Sequence, residues 1–111
     1  MAIFVFTGSP QVVWEKIRAA IGQGRIETWE IDTDNDLTHS PPQWKNKAWF
    51  RCYVNNDKLS FALFGVKGIA MTKVVYGVYH GRLIETLLAH FDTEFSSISA
   101  TASRAQIDRF S

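Results

Sequence analysis

Residues 47–66, KAWFRCYVNNDKLSFALFGV, are the stretch that decides the fold. Side chains along a β-strand point to alternate faces of a sheet. Apolar residues recur at every second position on both sides of a polar turn at residues 55–57, and this pattern predicts a β-hairpin. In its first strand one row is apolar, and the opposite row contains Lys47, Trp49, Arg51 and Tyr53.

The second strand of this hairpin is apolar on both faces. Leu59, Phe61 and Leu63 form one row, and the opposite row includes Ala62 and Phe64. A sheet with one face in water normally alternates apolar and polar residues. Large apolar patches are rarely left exposed on a monomer. We therefore expect something to cover the second face.

Two helices and further strands are predicted around the hairpin. Ser9 and Pro10 open an amphipathic helix that ends near Gly22 or Gly24. A stripe at helical spacing from Leu83 to Phe91, which includes Leu88, predicts a second helix that ends near Asp92. Residues 69–80 fit either a strand or a helix. Their β-branched residues favour a strand, whereas Val74 lies on a possible helical face on which Gly77 and Gly81, four residues apart, would allow close packing; we expect helix from about Lys73.

Strands are predicted at residues 2–7, at residues 25–32, where Trp29 points inward and Ile26 to the opposite face, and as an edge strand within residues 95–102. Residues 33–43 are predicted to be a long surface loop because they contain acids, turn formers and two prolines without an apolar period.

The order of these segments is β-α-β-β-β-α-β, which predicts an α+β fold. We expect a two-layer sandwich in which two helices pack on one face of a mostly antiparallel sheet of four to five strands. A chain of 111 residues with 46% hydrophobic residues is sufficient for one core. We predict a single domain over residues 1–102 and a polar tail over residues 103–111, for which disorder is one interpretation.

The formal net charge of +1 predicts no bulk attraction to nucleic acid or to an anionic membrane. The local charges differ, since residues 27–36 carry a net −5 and residues 44–73 carry a net +5. One interpretation is that the acidic and basic segments neutralise each other or face water. The other is that the basic side binds an anionic partner.

Because Cys52 is the single cysteine, a disulfide within the chain is excluded. It falls in the inward row of its strand. The first ten residues lack the pattern of a leader peptide, and no apolar run approaches the ~20 residues that span a bilayer. We expect a soluble cytoplasmic protein with no cofactor and no membrane partner.

The most enzyme-like group of residues lies in the second helix and comprises His80, Arg82, Glu85 and His90. It combines acid, base and cation beside Gly81, which would let a ligand approach. The alternative is a solvated helix face on which Arg82 and Glu85 pair three residues apart. No nucleophile completes a catalytic set, and His80 and His90 are spaced too unfavourably for a shared metal ion. We therefore expect no metal site and expect a binding protein rather than an enzyme.

The second face of the hairpin is the candidate interaction surface, comprising Lys47, Trp49, Arg51, Tyr53 and Phe64. We expect the protein to bind itself or another protein through this surface, with a homodimer as the first hypothesis. The alternative is single-stranded nucleic acid, whose bases stack on aromatic rings while cations meet phosphates.

Part of the chain resembles an RNA-recognition motif. IFVFTG at residues 3–8 and KAWFRCYV at residues 47–54 are similar to the two aromatic strands of that family. The resemblance covers residues 3–54 and ends where a helix is expected after Val54, because the chain continues as the second strand of the hairpin. It implies nucleic-acid binding on the sheet, and we assign the chain to no family.

Overall fold

The computed structural model describes residues 2–102 of the chain, so the predicted tail at residues 103–111 lies outside the described residues. The described elements are β1 (Ala2–Phe6), α1 (Pro10–Gly22), β2 (Trp29–Ile31), β3 (Leu37–His39), β4 (Ala48–Val54), β5 (Lys58–Gly65), α2 (Lys73–Phe91) and β6 (Ser97–Ala100).

The six strands form one sheet in the order β2-β3-β4-β5-β1-β6, and the pairs that are described are antiparallel. The predicted α+β fold is confirmed. The central hairpin is β4 and β5, in which Trp49 lies opposite Phe64 and Phe50 opposite Leu63. The sheet has six strands, one or two more than the four to five predicted.

Both helices pack on the same face of the sheet. Trp14 of α1 contacts Phe61 of β5 edge to face, with 5.9 Å between ring centroids. His80 of α2 contacts Phe50 of β4 in the same manner at 5.0 Å. Phe50 and Phe61 belong to the inward row of the hairpin and are fully buried. The core therefore lies between this face and the helices.

Helix α1 begins where the sequence predicts. Pro10 occupies the first turn and Ser9 the N-cap position, although the Ser9 side chain makes no capping hydrogen bond. Its buried residues recur at steps of three or four: Val13, Trp14, Ile17, Ala20 and Ile21. The following turn reaches Gly24, whose φ of 75° is a left-handed conformation that favours glycine.

Helix α2 begins at Lys73, so most of residues 69–80, the segment that fits either a strand or a helix, is helical, and residues 69–72 precede the helix. The Thr72 hydroxyl accepts a hydrogen bond from the Val75 amide and caps the first turn. Val74 and Leu88 were predicted on the apolar face, but the helix turns them outward, with 63% and 47% of their surface exposed. The apolar residues of this helix extend around more of its circumference than one sheet face can bury.

Strand β3 lies inside the segment that was predicted as a surface loop. It buries Leu37, Thr38 and His39. The Thr38 hydroxyl donates to the Ala48 carbonyl at 3.0 Å, and the His39 Nδ1–H donates to the Thr28 carbonyl at 2.8 Å. Two of its three residues are polar and are buried only because tertiary partners satisfy them, so hydrophobic periodicity did not reveal this strand.

Strand β2 is shorter than predicted. Its three residues replace a strand expected over residues 25–32. Ile26, expected on the face opposite Trp29, is buried before the strand begins, and Trp29 is buried within it. The Trp29 indole N–H donates to the Thr86 hydroxyl of α2 at 3.1 Å, which joins the sheet edge to the helix.

Candidate interaction surface

The face of the sheet opposite the helices, here called the outer face, presents an aromatic group. Register pairing places Trp49 beside Phe64 and Tyr53 beside Ser60 on the neighbouring strands β4 and β5. The same pairing places Phe4 beside Ser60 and Phe6 beside Lys58 across β5 and β1. Five aromatic side chains from three adjacent strands therefore share this face, and both helices of the described residues lie on the other.

Phe4 and Phe6 belong to this surface but were not among its predicted residues. In β1, Ile3 and Val5 point into the core, so Phe4 and Phe6 must point outward. The alternation in IFVF contained that signal. It was missed because the strand is short and apolar at every position, which is also typical of a strand buried on both faces.

Cationic side chains lie over the aromatic rings of the outer face. Trp49 and Phe64 stack at 5.6 Å between centroids, and the Arg51 guanidinium lies 5.2 Å from the Phe64 centroid. Lys58 Nζ lies 5.5 Å from the ring of Phe4 and 5.8 Å from that of Phe6. These distances are typical of cation–π contacts. The aromatic rings are half-buried within the chain itself.

Arg51 is also held by an ion pair. Its Nε donates to Asp36 Oδ1 at 3.0 Å and its Nη2 to Asp36 Oδ2 at 2.8 Å. Asp36 is 3% exposed, and this bidentate hydrogen bonding raises the pKa of Arg51 above its ordinary value. The positive charge predicted for this surface is therefore partly neutralised by the acidic segment.

Lys47, the remaining predicted residue of the surface, precedes β4 and is exposed. It borders a cavity of about 230 Å³ at the end of the hairpin, which Gly65, Met71 and Val75 also line. Lys47 thus lies at the end of the sheet beside the start of α2, away from the aromatic centre of the outer face.

The structure does not bring the predicted polar cluster of α2 together. His80 is 2% exposed, and its Nδ1 lies 2.7 Å from the Tyr76 carbonyl. Arg82 and Glu85 are exposed and pair with each other at 3.3 Å. His90 borders a groove between α1 and the end of α2, together with Phe91 and Glu94. The four residues lie in three different environments.

Three acidic side chains, Asp32, Asp34 and Asp36, place their oxygens within 4.8 Å of one another. Asp32 Oδ1 accepts hydrogen bonds from the backbone amides of Asp34 and Asp36, and Asp36 is occupied by Arg51. These contacts account for the arrangement as a turn between β2 and β3 that positions the Asp36 carboxylate.

The aromatic stretches IFVFTG and KAWFRCYV are not neighbours in the sheet, because β5 lies between β1 and β4.

No protein-family model, curated protein or solved structure matches this chain. Among residues 2–102, neither helix has the length and apolarity that a membrane crossing requires.

Proposed function

We propose that the protein is an interaction domain that forms a homodimer through the outer face. The observation that carries the proposal is the set of five aromatic side chains on one sheet face that neither helix covers. Aromatic residues and arginine are enriched at protein interfaces, and two sheets pack face to face at about 10 Å. A second copy supplies a surface of the same shape and width.

The size of the outer face sets the expected affinity. The three strands β4, β5 and β1, at ~4.8 Å spacing and roughly 16–25 Å in length, give a face on the order of 300 Å². A stable interface buries about 800 Å² per partner, and smaller ones are weak or transient. We therefore expect a dimer that dissociates in the micromolar range or above.

The charges on the outer face favour a protein partner over nucleic acid. Arg51, the central cation, is paired with a buried carboxylate, so little of its charge is available to a phosphate. Asp36 also places a negative charge close to the position that a phosphate would take. In a symmetric dimer the Arg51–Asp36 pair is close to neutral and adds little repulsion between copies.

The proposal is tested by sedimentation velocity from about 1 to 500 µM, a range that brackets a weak interface. The wild-type protein is expected to shift from monomer toward dimer as concentration rises. A variant with Trp49→Thr and Phe64→Thr removes the stacked pair and replaces it with residues that also favour strands, and it should remain monomeric across the range.

A matched control is Leu88→Gln, which removes an exposed apolar side chain from α2 on the opposite side of the molecule. This variant should dimerise like the wild type. The proposal fails if the wild-type protein stays monomeric at the highest concentration, or if the outer-face and Leu88 variants behave alike.

Single-stranded nucleic acid remains the second candidate because Lys58 lies over two outward aromatic rings. Binding of a 20-nucleotide oligothymidylate at about 50 mM salt, lost on Lys58→Ala, would favour nucleic-acid binding over the dimer.

We also propose that the protein is cytoplasmic, because Cys52 is a free thiol and unpaired cysteines are typical of reducing compartments.

A further inference from the structure

One end of the molecule combines exposed aliphatic side chains with lysines. Among the described residues, the two most exposed large apolar side chains are Val74 at 63% and Ile69 at 62%. Lys67 and Lys73 lie beside them in sequence and are exposed, as is Lys47. We call these five residues the basic tip.

The basic tip is held in place by the core beneath it. Met71 and Val75 pack against the core cluster, and Met71 lies so close to Gly65 that a Cβ on that glycine would meet the methionine Cε at 2.9 Å. The Ile69 amide donates to the Val66 carbonyl in a tight turn. The exposure of Ile69 is therefore fixed by a packed segment.

No acidic residue lies near Lys67 or Lys73 in the sequence. Residues 58–84 contain four basic residues and no acidic one, and the first turn of α2 has no acidic residue. Among the ion pairs of the described residues, none involves Lys47, Lys67 or Lys73. Lys47 and Ile69 border the same cavity of about 230 Å³, as do Val66 and Thr72. Lys67 and Lys73 directly follow Val66 and Thr72 in the chain and are exposed, as is Val74.

We propose that the basic tip binds the surface of an anionic lipid bilayer. Lysines near such a surface are attracted by its negative potential, and exposed aliphatic side chains gain by entering the boundary between headgroups and acyl chains. Nucleic acid would use the lysines but offers no apolar environment to Ile69 and Val74. The near-zero net charge of the chain does not oppose this, because attraction falls off within a Debye length of about 10 Å.

The test is cosedimentation of the full chain with vesicles of 70% phosphatidylcholine and 30% phosphatidylserine at about 50 mM salt, where the attraction is least screened. We expect binding to these vesicles and much weaker binding to pure phosphatidylcholine. Each of Lys67→Gln and Lys73→Gln should weaken binding about fivefold. Ile69→Ser with Val74→Ser should weaken it further while leaving the charge unchanged.

The matched control is Val12→Ser with Leu88→Ser, which removes two exposed aliphatic side chains from the helices and should bind as the wild type does. The proposal is overturned if the wild-type protein does not bind the anionic vesicles, or if it binds the neutral ones equally well. It is also overturned if Ile69→Ser with Val74→Ser binds unchanged, or if a 20-nucleotide oligothymidylate binds with higher affinity than the vesicles.

Discussion

His39 is a buried imidazole whose environment disfavours its charged form. Burial lowers its pKa most; the Arg82 guanidinium on α2 lowers it too, whereas the Thr28 carbonyl and Glu85 act in the opposite direction. Because Nδ1–H donates to the Thr28 carbonyl, the neutral ring has its lone pair on Nε2. The unfolded chain therefore binds a proton at His39 more readily than the folded chain does.

This difference predicts that acid destabilises the protein through His39. As pH falls through about 6.5, the ordinary pKa of histidine, the free energy of unfolding should decrease. His39→Asn should lower stability at pH 7.5 by about 1–3 kcal/mol, because a buried hydrogen bond and ring contacts are lost. It should also lose less stability than the wild type between pH 7.5 and 5.5, as measured by urea denaturation.

His90→Asn is the control for that experiment, since His90 is exposed at the end of α2. At pH 7.5 its stability should be within about 0.5 kcal/mol of the wild type, as is usual for exposed substitutions. A His39→Asn profile parallel to the wild-type profile would show that another group is responsible.

The Arg51–Asp36 ion pair supports a second prediction at the scale of single residues. Arg51→Met leaves the buried Asp36 carboxylate without its bidentate partner, and we expect a loss of about 1.5–3 kcal/mol at pH 7. Chemical denaturation at pH 7 measures this loss.

Lys45→Met is the comparison. The distance from Lys45 Nζ to Glu30 Oε2 is 3.0 Å, but both side chains of this ion pair are about half exposed. Exposed pairs contribute about 0–1 kcal/mol. Equal losses from the two variants would contradict the view that burial of Asp36 makes the Arg51 pair the stronger one.

Among the secondary-structure elements, α2 contains two glycines at positions where an ordinary residue fits. A Cβ added at Gly77 or at Gly81 would meet no atom within 4 Å, so neither glycine serves the close packing that their spacing of four had suggested. Gly77→Ala and Gly81→Ala should each raise the free energy of unfolding by about 0.5–1 kcal/mol. Thermal denaturation of the single and double variants checks this.

Gly68→Ala tests whether the backbone conformation of a residue, rather than the space around it, determines the effect of replacing glycine. A Cβ at Gly68 would also meet no atom within 4 Å, but this residue has a φ of 83°. We expect a loss of about 1 kcal/mol, because the left-handed conformation is unfavourable for alanine. A lower melting temperature for all three variants would contradict the helix-propensity argument, and a higher one for all three would contradict the argument from the φ of Gly68.

The elements that sequence reasoning predicted well are those whose own pattern determines them. The hairpin of β4 and β5 alternates over 15 residues, and α1 buries apolar residues at regular steps, so local sequence and tertiary burial agree. β3 was missed because its burial depends on distant partners, such as the contact of the Thr38 hydroxyl with Tyr79 at 3.0 Å. No short window of sequence contains that information.

The candidate site shows the same limit. Alternation in the sequence predicted Trp49, Arg51, Tyr53 and Phe64 on one face, and in the sheet Trp49 lies opposite Phe64. It did not show that β1 lies beside β5, which brings Phe4 and Phe6 to the same surface. Nor did it show which acid of the −5 segment pairs with Arg51, because that depends on the position of β3 in the sheet.

For the whole molecule, the sheet order predicts slow folding. β1 pairs residues 2–6 with residues 58–62 of β5 and residues 97–100 of β6, so many contacts join distant parts of the chain. Domains dominated by such pairings fold in about milliseconds to seconds. Stopped-flow refolding followed by tryptophan fluorescence should give rates in that range, and microsecond folding would contradict the topology.

The place of β1 between β5 and β6 also matters while the protein is being made. A ribosome adds ~5–20 residues per second, so several seconds pass between the synthesis of β1 and that of its neighbours β5 and β6. During that wait Ile3, Phe4, Val5 and Phe6 form an unpaired apolar strand, which is a target for chaperones and for aggregation. Production of the protein should therefore depend on cellular folding assistance more than its small size suggests.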